Sequence, residues 1–578
     1  MSSMSSMPSL SSRRRTFLRL AAAALIAACG PSPTPPPKSD PRPAAPPEPA
    51  DLIVVGGRIL TMDPKAPEVA AAAIRDGVFV AIGDRATIET YRGPATETLD
   101  LHGGSATPGL TDAHAHLTGL GRDLEIVDLR GAASIDEVVQ RVRDAAPPSG
   151  WILGRGWDQN RWPDPAMPTH APLSAAFPDR PVWLARIDGH AGWANQAALT
   201  AAKITRDTKD PEGGEILRDR KGEPTGVLVD AAMELMPTPA PTDDDLRRRL
   251  LAAQEHVLAR GLTGVHEMGL GPDEDRALRA LAAEGALRLR VHGYASDHYF
   301  ERELADRDPD PIAPESRYAL RGVKLYVDGA LGSRGAALLR PYSDRPDHAG
   351  LFVTAPERLR ELVGRAIARG WQVASHAIGD RGNRTILDVY AQAIAAAPAE
   401  RRGDLRLRVE HAQILDLADV PRFAELGVIA SMQPTHATSD MPWVPARLGD
   451  DRLAGAYAWR RLLDAGARLA LGSDFPVELV EPTHGLHAAI TREDAEGRPE
   501  GGWLPGERLT LDEAIAGFTR EAAYAAFRDD HLGRIAVGQR ADLTCFAADL
   551  RALDPRALRD AAILATVIDG EIVWPRRV

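Results

Sequence analysis

Short apolar segments alternate with amphipathic segments over most of the chain. Eight segments rich in β-branched and other apolar residues are separated by stretches with helical periodicity. The predicted strands span residues 106–114, 263–267, 288–294, 322–328, 371–376, 405–411, 428–433 and 469–474, and the clearest helices span 275–286, 357–369, 383–397 and 454–465. Because parallel strands need helical crossovers, this alternation predicts an α/β fold with a (β/α)8 barrel.

One connection in this pattern is too long for a single βα unit. About 145 residues lie between His116 and Thr263, whereas a complete βαβ unit needs roughly 30. We therefore predict an inserted lobe over residues 121–244, following the first barrel strand. The barrel itself would use residues 106–120 and 245–528. The lobe would stand at the C-terminal face, where barrel enzymes place their active sites.

Both ends of the folded region contain short β-strands broken by glycine turns. Such strands are predicted near residues 52–60, 69–82, 532–546 and 567–573. Neither end has enough strands for a stable core of its own. We predict that residues 51–105 and 529–578 combine into one small β-sandwich.

The first fifty residues have the features of an export signal followed by a tether. Arg14-Arg15-x-Phe17-Leu18 resembles a twin-arginine signal, and Ile26-Ala27-Ala28-Cys29 resembles a bacterial lipobox. Residues 1–28 would be the signal and the proline-rich residues 29–50 an extended tether. We expect an exported protein, anchored through lipidated Cys29 to the cell envelope and facing the periplasm or the exterior. A disordered basic tail before a stray helix is the alternative.

Composition narrows the class of protein. Lys and Arg number 69 against 81 Asp and Glu, which gives a net charge of −12 and argues against nucleic acid as a partner. No apolar run reaches the roughly 20 residues of a membrane span. Two cysteines cannot form a disulfide framework or a thiolate zinc site. A large globular enzyme or binding protein remains, and homo-oligomers stay open.

Polar residues that can bind metal follow several predicted strands. His114 and His116 face the same side of an extended strand, roughly 6–7 Å apart, although a lone His-x-His pair also occurs in packed cores. Lys324 and Asp328 lie at the end of strand four, His376 of strand five, His411 of strand six and Asp474 of strand eight. Strand ends of one barrel converge on its axis, and imidazole and carboxylate bind divalent first-row ions. The sequence thus predicts a metal site.

These segments and four further motifs together resemble the amidohydrolase superfamily, in its amidohydrolase-3 branch of YtcJ-like and N-substituted-formamide-deformylase-like proteins. The further motifs begin at Trp151, Ile187, Asp328 and Gly379. The resemblance runs from about Leu52 to Val573 and implies a β-sandwich with a distorted (β/α)8 barrel. It also implies one or two divalent ions, with zinc expected, surrounded by His114, His116, Lys324, His376, His411 and Asp474.

Lys324 has two interpretations. An ammonium is repelled by divalent cations, and members of the superfamily often carry a lysine here that has reacted with carbon dioxide to become a bridging carboxylate. Desolvation would favour that reaction by lowering the pKa of the amine. Alternatively, Lys324 pairs with Asp328 or Asp380 beside a single metal held by the histidines.

The residue set predicts a hydrolytic mechanism. A metal-bound water would attack a polarised carbonyl, while Asp474 takes the proton and returns it to the departing amine. Asp474 could also be a plain ligand without a proton role. The expected partner is a small-molecule amide whose non-peptide C–N bond, in an amide, N-acyl or N-formyl group, is hydrolysed. A deaminase or cyclic-amide hydrolase, and a lipid-anchored binding protein without activity, are the alternatives.

Three of the predicted substrate contacts, Trp157, Asp158 and His190, lie in the lobe, where Trp193 follows His190 closely in sequence. The fourth, Asp328, lies in the barrel. Aromatic and polar groups suit an organic amide, but the tryptophans could equally pack the lobe. For His266, His292 and His436, contact with the pocket and burial as core histidines both remain open.

Overall fold

The computed structural model describes residues 47–147, 149–187, 189, 191–211, 214–398 and 402–575. The predicted export signal, most of the tether with Cys29, and His190 lie outside these residues. Within the described residues, no helix has the length and apolar character needed to cross a bilayer.

The strands fall into four groups along the chain. Strands β1 Leu52–Val55, β2 Arg58–Leu60, β3 Glu68–Val69, β4 Ala71–Arg75, β5 Val78–Gly83, β6 Glu97–Asp100 and β7 Ser105–Pro108 precede β8 Leu110–Ala115. The second group is β9 Val127–Asp128, β10 Ile152–Trp157, β11 Val182–Arg186, β12 Ala191–Ala194, β13 Gly214–Arg218 and β14 Pro224–Asp230. The third is β15 Leu262–Leu270, β16 Arg290–Ser296, β17 Tyr318–Tyr326, β18 Gln372–Ala377, β19 Arg408–His411, β20 Ile429–Met432 and β21 Arg468–Leu471. The last is β22 Leu543–Phe546, β23 Ile563–Ile568 and β24 Glu571–Trp574.

Most helices connect or flank the third group of strands. The helices up to the end of the second group are α1 Arg85–Glu89, α2 Leu117–Asp123, α3 Ile135–Ala145, α4 Ala171–Ala176 and α5 Gln196–Ala201. Those that follow are α6 Asp243–Leu258, α7 Pro272–Ala283, α8 Asp297–Tyr299, α9 Pro356–Arg369, α10 Asp380–Ala396, α11 Val420–Leu426, α12 Pro434–Asp440, α13 Val444–Leu448, α14 Trp459–Asp464, α15 Pro482–Thr491, α16 Leu511–Phe518 and α17 Arg520–Ala525.

The predicted eight-stranded barrel is confirmed. Strand β8 and strands β15 to β21 form one sheet in chain order, and all its strand pairs are parallel. Beyond the end of β21, Asp474 N donates to His114 O at 2.8 Å and His116 N donates to Phe475 O at 2.9 Å. These bonds tie the last strand to the first, so the sheet is nearly closed around its axis.

The first predicted strand, 106–114, is divided at Gly109. Strand β7 pairs with β22, whereas β8 pairs with β15 in the barrel. A Cβ atom at Gly109 would lie 2.3 Å from Thr263 Oγ1, so only glycine permits this close approach. Alternation of apolar residues continues through the break, which is why the pattern predicts a single strand.

Two sheets contain the strands near the chain ends, and the second of them combines strands from both ends. One has the order β5-β4-β1-β6 and the other β24-β23-β22-β7-β2-β3. Side chains from the two ends, among them Leu52, Phe79, Leu543 and Val567, share one buried cluster. The predicted β-sandwich, built from both ends of the folded region, is therefore confirmed.

A third unit interrupts the barrel after β8. Its six strands have the order β13-β14-β12-β11-β10-β9, all within residues 127–230. Apolar residues of α3 and of β10 to β12 form a core of their own. This lobe follows the first barrel strand, as the long connection predicts.

One predicted helix, 454–465, is wrong in its first half. The structure has a 3-10 turn at Asp450–Gly455, a break, and then the short α14. Tyr457 has a φ of 50° and its N–H donates to Gln413 O at 2.6 Å. This tertiary hydrogen bond replaces a helical one and ends the helical periodicity there.

Candidate metal centre

The six residues predicted as ligands meet at the C-terminal ends of the barrel strands. His114, Lys324, His376 and His411 lie in β8, β17, β18 and β19, His116 directly follows β8, and Asp474 follows β21. The ring centroids of His114 and His411 are 4.7 Å apart, and those of His376 and His411 are 4.6 Å apart. Donor atoms of His114, His411 and Asp474 lie within 4.8 Å of one another.

A buried ion pair orients the first of these histidines. His114 Nδ1 donates to Glu410 Oε2 at 2.7 Å, and Arg408 Nε donates to Glu410 Oε1 at 2.8 Å. Burial alone would raise the pKa of Glu410, but Arg408 and His114 hold it well below its usual range. Since Nδ1 carries the proton, the lone pair of His114 Nε2 faces the other predicted ligands.

Two further histidines are oriented in the same way. His116 Nδ1 donates to Met268 O at 3.1 Å, and His411 Nδ1 donates to Gln433 Oε1 at 2.9 Å. In each case the second ring nitrogen, Nε2, remains available to bind a metal ion. Fixing the tautomer through the outer nitrogen is the usual arrangement around metal-binding histidines.

The chemistry of this donor set fits a divalent cation. Burial, and then the charge of Lys324, lower the pKa of His114 to about 4 and that of His376 to about 3, so both rings are neutral as ligands require. His376 Nε2 and Asp474 Oδ1 are buried and have no hydrogen-bond partner among the described residues. Unsatisfied buried atoms are costly, and a shared cation would satisfy both.

Lys324 is buried without a counterion. Its side chain is 1% exposed, and Nζ lies 3.3 Å from His114 Nε2. No carboxylate of the described residues comes within 4.0 Å of Nζ. The predicted alternative of an ion pair with Asp328 or Asp380 is therefore wrong. Burial lowers the pKa of Lys324 to about 8, against the opposing effect of Glu410 and Asp474.

Asp474 has an unusual backbone conformation. Its φ is 63°, in the left-handed region that non-glycine residues seldom adopt. This conformation brings Oδ1 to 3.2 Å from His116 Nε2 and 3.5 Å from His114 Nε2. Such strained residues concentrate at functional sites, where surrounding bonds hold them in place.

These residues lie at the floor of an open cavity of about 620 Å³. Tyr326, Leu331, Trp443 and Val477 give one part of the wall an apolar surface. A cavity that combines an apolar wall with many convergent polar groups suits a small organic molecule with a polar part.

His436 lines this cavity, so of the two roles left open for it, contact with the pocket is the one that the structure supports. It lies in α12, and Gln413 Nε2 donates to its Nδ1 at 3.3 Å, so Nε2 carries the proton. Nε2 is 3.7 Å from Asp474 Oδ2. Gln413 was not predicted, although it directly follows the Glu410-His411-Ala412 segment.

Arg186 is a second cavity residue that was not predicted. It ends β11 in the lobe and lines the cavity. Asp158 Oδ1 accepts from Arg186 Nη2 at 2.7 Å and Gln159 Oε1 from its Nε at 2.8 Å. Asp158, predicted as a substrate contact, thus orients the side chain of Arg186, which lines the cavity, and is not itself among the lining residues. The sequence feature that could have identified Arg186 is its position directly before the motif that begins at Ile187.

Two predicted substrate contacts have structural partners instead. Trp157 is 0% exposed, donates from Nε1 to Leu184 O at 2.8 Å and packs against Trp193 in the lobe core. Asp328 is 1% exposed and accepts three backbone N–H bonds, from Ala337, Ile378 and Gly379. Trp157 packs the lobe and Asp328 fixes the loop after β17, so neither lines the cavity.

His266 and His292 lie in the barrel interior, away from this cavity. Arg408 Nη1 donates to His266 Nδ1 at 2.6 Å, and His292 Nε2 lies 3.3 Å from Gln372 Oε1. The remaining ring nitrogen of each is buried and has no partner in the described part of the chain. They are core histidines, but only half satisfied.

Replacing Glu410 by glutamine should weaken metal binding by roughly 10- to 100-fold, the usual effect of losing such an outer partner. The amide lacks the charge that fixes His114 and leaves Arg408 with an unpaired buried cation. Metal content after dialysis against graded chelator, measured by elemental analysis, tests this. An unchanged chelator midpoint in a folded Glu410→Gln protein would contradict it.

The chain is similar to proteins of known family. The profile of the Amidohydro_3 amidohydrolase family matches residues 97–574. Protein LONG AFTER FAR-RED 3 of Arabidopsis thaliana is 36% identical over 547 residues, 91% of this chain and 92% of that protein. YtcJ of Bacillus subtilis (strain 168) is 35% identical over 90% of this chain and 99% of its own length. N-substituted formamide deformylase of Arthrobacter pascens is 29% identical, covering 91% and 98%.

Solved structures give the same result. An uncharacterized metal-dependent hydrolase from Pyrococcus horikoshii OT3 superposes with a TM-score of 0.72 at 28% identity, covering 90% of this chain and 99% of that one. Its counterpart from Pyrococcus furiosus has a TM-score of 0.69 at 30% identity, covering 85% and 97%. With its barrel, its convergent histidines and aspartate and these similarities, the chain belongs to the amidohydrolase family and is a hydrolase.

Proposed function

We propose that this protein is a metal-dependent amidohydrolase that cleaves the C–N bond of a small organic amide, N-acyl or N-formyl compound. The observation that carries the proposal is the pair of neutral imidazoles, His114 and His376, with the unpartnered Asp474 oxygen at the floor of the cavity. A purely structural cluster would satisfy these buried atoms within the protein.

Six groups would hold the cation: His114, His116, His376, His411, Asp474 and a modified Lys324. Nitrogen and oxygen donors of this kind suit zinc, and we propose zinc at one or two positions. When bound, the ion would polarise the substrate carbonyl and lower the pKa of water. Lys324 has no counterion, and its pKa, lowered to about 8, increases the fraction of the neutral amine that could react with carbon dioxide and supply a carboxylate.

Two side chains of the floor would move or hold protons. Asp474, an acceptor when ionised, takes a proton from the attacking water and delivers it to the departing amine. His436 Nε2 carries a proton and faces the same space. It would donate a hydrogen bond to the carbonyl oxygen as negative charge develops there.

The cavity walls favour a substrate with an apolar part and a polar part. Tyr326, Leu331 and Trp443 would contact the apolar part, and Arg186, held by Asp158 and Gln159, would bind an oxygen of the polar part. The formamide deformylase among the relatives supports including N-formyl amines among the candidates.

Elemental analysis combined with a hydrolysis screen tests this function. The purified protein should contain divalent metal and release amine from N-acyl or N-formyl compounds, and chelator should abolish the release. Activity confined to ring amides or amino heterocycles would favour a cyclic-amide hydrolase or a deaminase. A metal-free protein inactive after zinc addition would overturn the proposal.

We also propose that the protein is exported and anchored to the envelope through Cys29. Cys29→Ser should move the protein from the membrane fraction to the soluble fraction, because the acyl chains would be lost, with hydrolysis intact. Fractionation followed by blotting measures the shift. Cys545→Ser is the control, since Cys545, the only other cysteine, is buried in the sandwich. Continued membrane association of Cys29→Ser would refute the anchor.

A further inference from the structure

A small cavity of about 30 Å³ lies at the end of the barrel opposite the metal centre. Its walls come from the beginnings of β8, β15 and β16, from α17, and from the segment that leads into β22. A water molecule needs roughly 10–15 Å³ on this measure, so the cavity has room for about two water-sized groups.

Three buried side chains of this cavity carry polar atoms without partners. Arg528, His266 and His292 are 4%, 1% and 2% exposed. Within the described ranges, Arg528 Nη2, His266 Nε2 and His292 Nδ1 make no hydrogen bond. With Nε of the less buried Arg534, which lines the same cavity, four unsatisfied polar atoms indicate an occupant, because each would otherwise cost about 1–3 kcal/mol.

Hydrogen-bond partners define what this occupant must offer. Arg408 can only donate, so His266 Nδ1 accepts and its Nε2 carries a proton. Gln372 Nε2 donates to two carbonyls, so its Oε1 accepts from His292 and leaves His292 Nδ1 as an acceptor. The cavity thus presents three donors, Arg528 Nη2, Arg534 Nε and His266 Nε2, and one acceptor, His292 Nδ1.

The charge around the cavity is positive. Arg290, Arg317 and Arg540 share two carboxylates, those of Asp542 and Asp569. Arg528 has no carboxylate within 4.0 Å among the described residues, and the one hydrogen bond of its guanidinium group there is a 3.4 Å contact with Ala313 O. Arg534, which lines the cavity, also has no carboxylate within 4.0 Å among the described residues, so five guanidinium groups face two carboxylates. This excess excludes a metal cation and calls for an anion.

We propose that this cavity binds a small anion, such as chloride or bicarbonate, between the barrel and the segment leading into the sandwich. Arg528 and His266 donate to the anion. A water beside chloride, or the hydroxyl of bicarbonate, donates to His292 Nδ1. The anion acts as a structural counterion that joins β15 and β16 to residues 526–542. It lies outside the metal centre, so its existence does not depend on the proposed hydrolytic function.

Thermal unfolding of the purified full chain with its metal tests this site. At constant ionic strength, replacing gluconate by 100 mM chloride or bicarbonate should raise the melting temperature by about 2 °C, for an anion bound with millimolar affinity. A larger shift with bicarbonate than with chloride that is also seen in Lys324→Ala, where no carbamate can form, would indicate that the bicarbonate hydroxyl serves His292. Equal melting temperatures in all three salts would overturn the proposal.

Two variants separate binding at the site from general salt effects. Arg528→Met should abolish the salt-dependent shift by removing the unpaired cation. Arg492→Met is the matched control: Arg492 is also buried, and its pKa, like that of Arg528, is lowered to about 10 by burial. It lies between Trp459 and Trp503, away from the cavity, so this variant should retain the shift. Persistence of the shift in Arg528→Met would overturn the proposal.

Diffraction from bromide-soaked crystals of the parent gives a readout independent of variant stability. Bromide should give an anomalous peak beside Arg528 Nη2. Water alone in the cavity at saturating bromide would overturn the anion assignment.

Discussion

Replacing Asp474 by asparagine is expected to lower turnover by about 10²-fold or more while metal content falls only modestly. Asparagine keeps the shape and one coordinating oxygen but cannot accept the proton of the attacking water, and a lost general base usually costs this much. In the parent protein, Asp474 Oδ1 lies 3.2 Å from His116 Nε2, so Asp474 is among the groups that would surround the reacting atoms. Single-turnover hydrolysis and elemental analysis of the same preparation measure both quantities.

Asp440→Asn is the control for this experiment. Asp440 also lines the cavity, but its carboxylate is hydrogen-bonded to the Tyr457 hydroxyl rather than turned to the histidines. Its replacement should change turnover far less than that of Asp474. A metal-loaded Asp474→Asn protein with near-parental turnover would leave Asp474 as a plain ligand, the other role the sequence allows.

Replacing Lys324 by alanine should remove at least one metal ion and nearly all activity. The buried amine has no counterion and a pKa lowered to about 8, so its neutral form can add to carbon dioxide, forming a carbamate and releasing a proton. Without that carboxylate the histidines and Asp474 would hold less metal. Elemental analysis and mass spectrometry under native conditions measure the loss and the added mass of carbon dioxide on the parent.

Chemical rescue identifies the missing group. A short carboxylic acid with excess metal should partly restore Lys324→Ala, because it can occupy the space of the carbamate. The same acid should not restore His411→Ala, which lacks an imidazole. Full metal content and undiminished turnover in Lys324→Ala would remove Lys324 from the centre.

The barrel, and the histidines and aspartate at its strand ends, could be predicted from local pattern, whereas Lys324 entered the ligand set only through the resemblance to the amidohydrolase superfamily. Eight apolar segments separated by helical periodicity leave few arrangements other than a parallel barrel, which the structure confirms. Parallel strands end at one face, so residues as distant in sequence as His114 and Asp474 can be placed together without knowing any contact. These conclusions depend on strand and helix periods, which short stretches of sequence contain.

Tertiary structure decided which polar and aromatic residues face the cavity. Trp157 and Asp328 stand in distinctive motifs, yet one packs the lobe and the other binds backbone N–H groups. Arg186 and His436 reach the cavity from the lobe and from α12. A residue's motif shows that its position is constrained, but the direction of its side chain depends on how the lobe and the helices pack.

The sequence by itself determined the eight-stranded barrel, the lobe after its first strand and the approximate position of the histidines and Asp474 near strand ends, because these follow from periodicities of 2 and 3.6 residues and from the chemistry of each side chain. Only the tertiary structure decided the break at Gly109, the left-handed backbone of Asp474 and the unpaired charge around Arg528. Each of these depends on atoms brought close from segments far apart in the chain, and no local pattern records those distances.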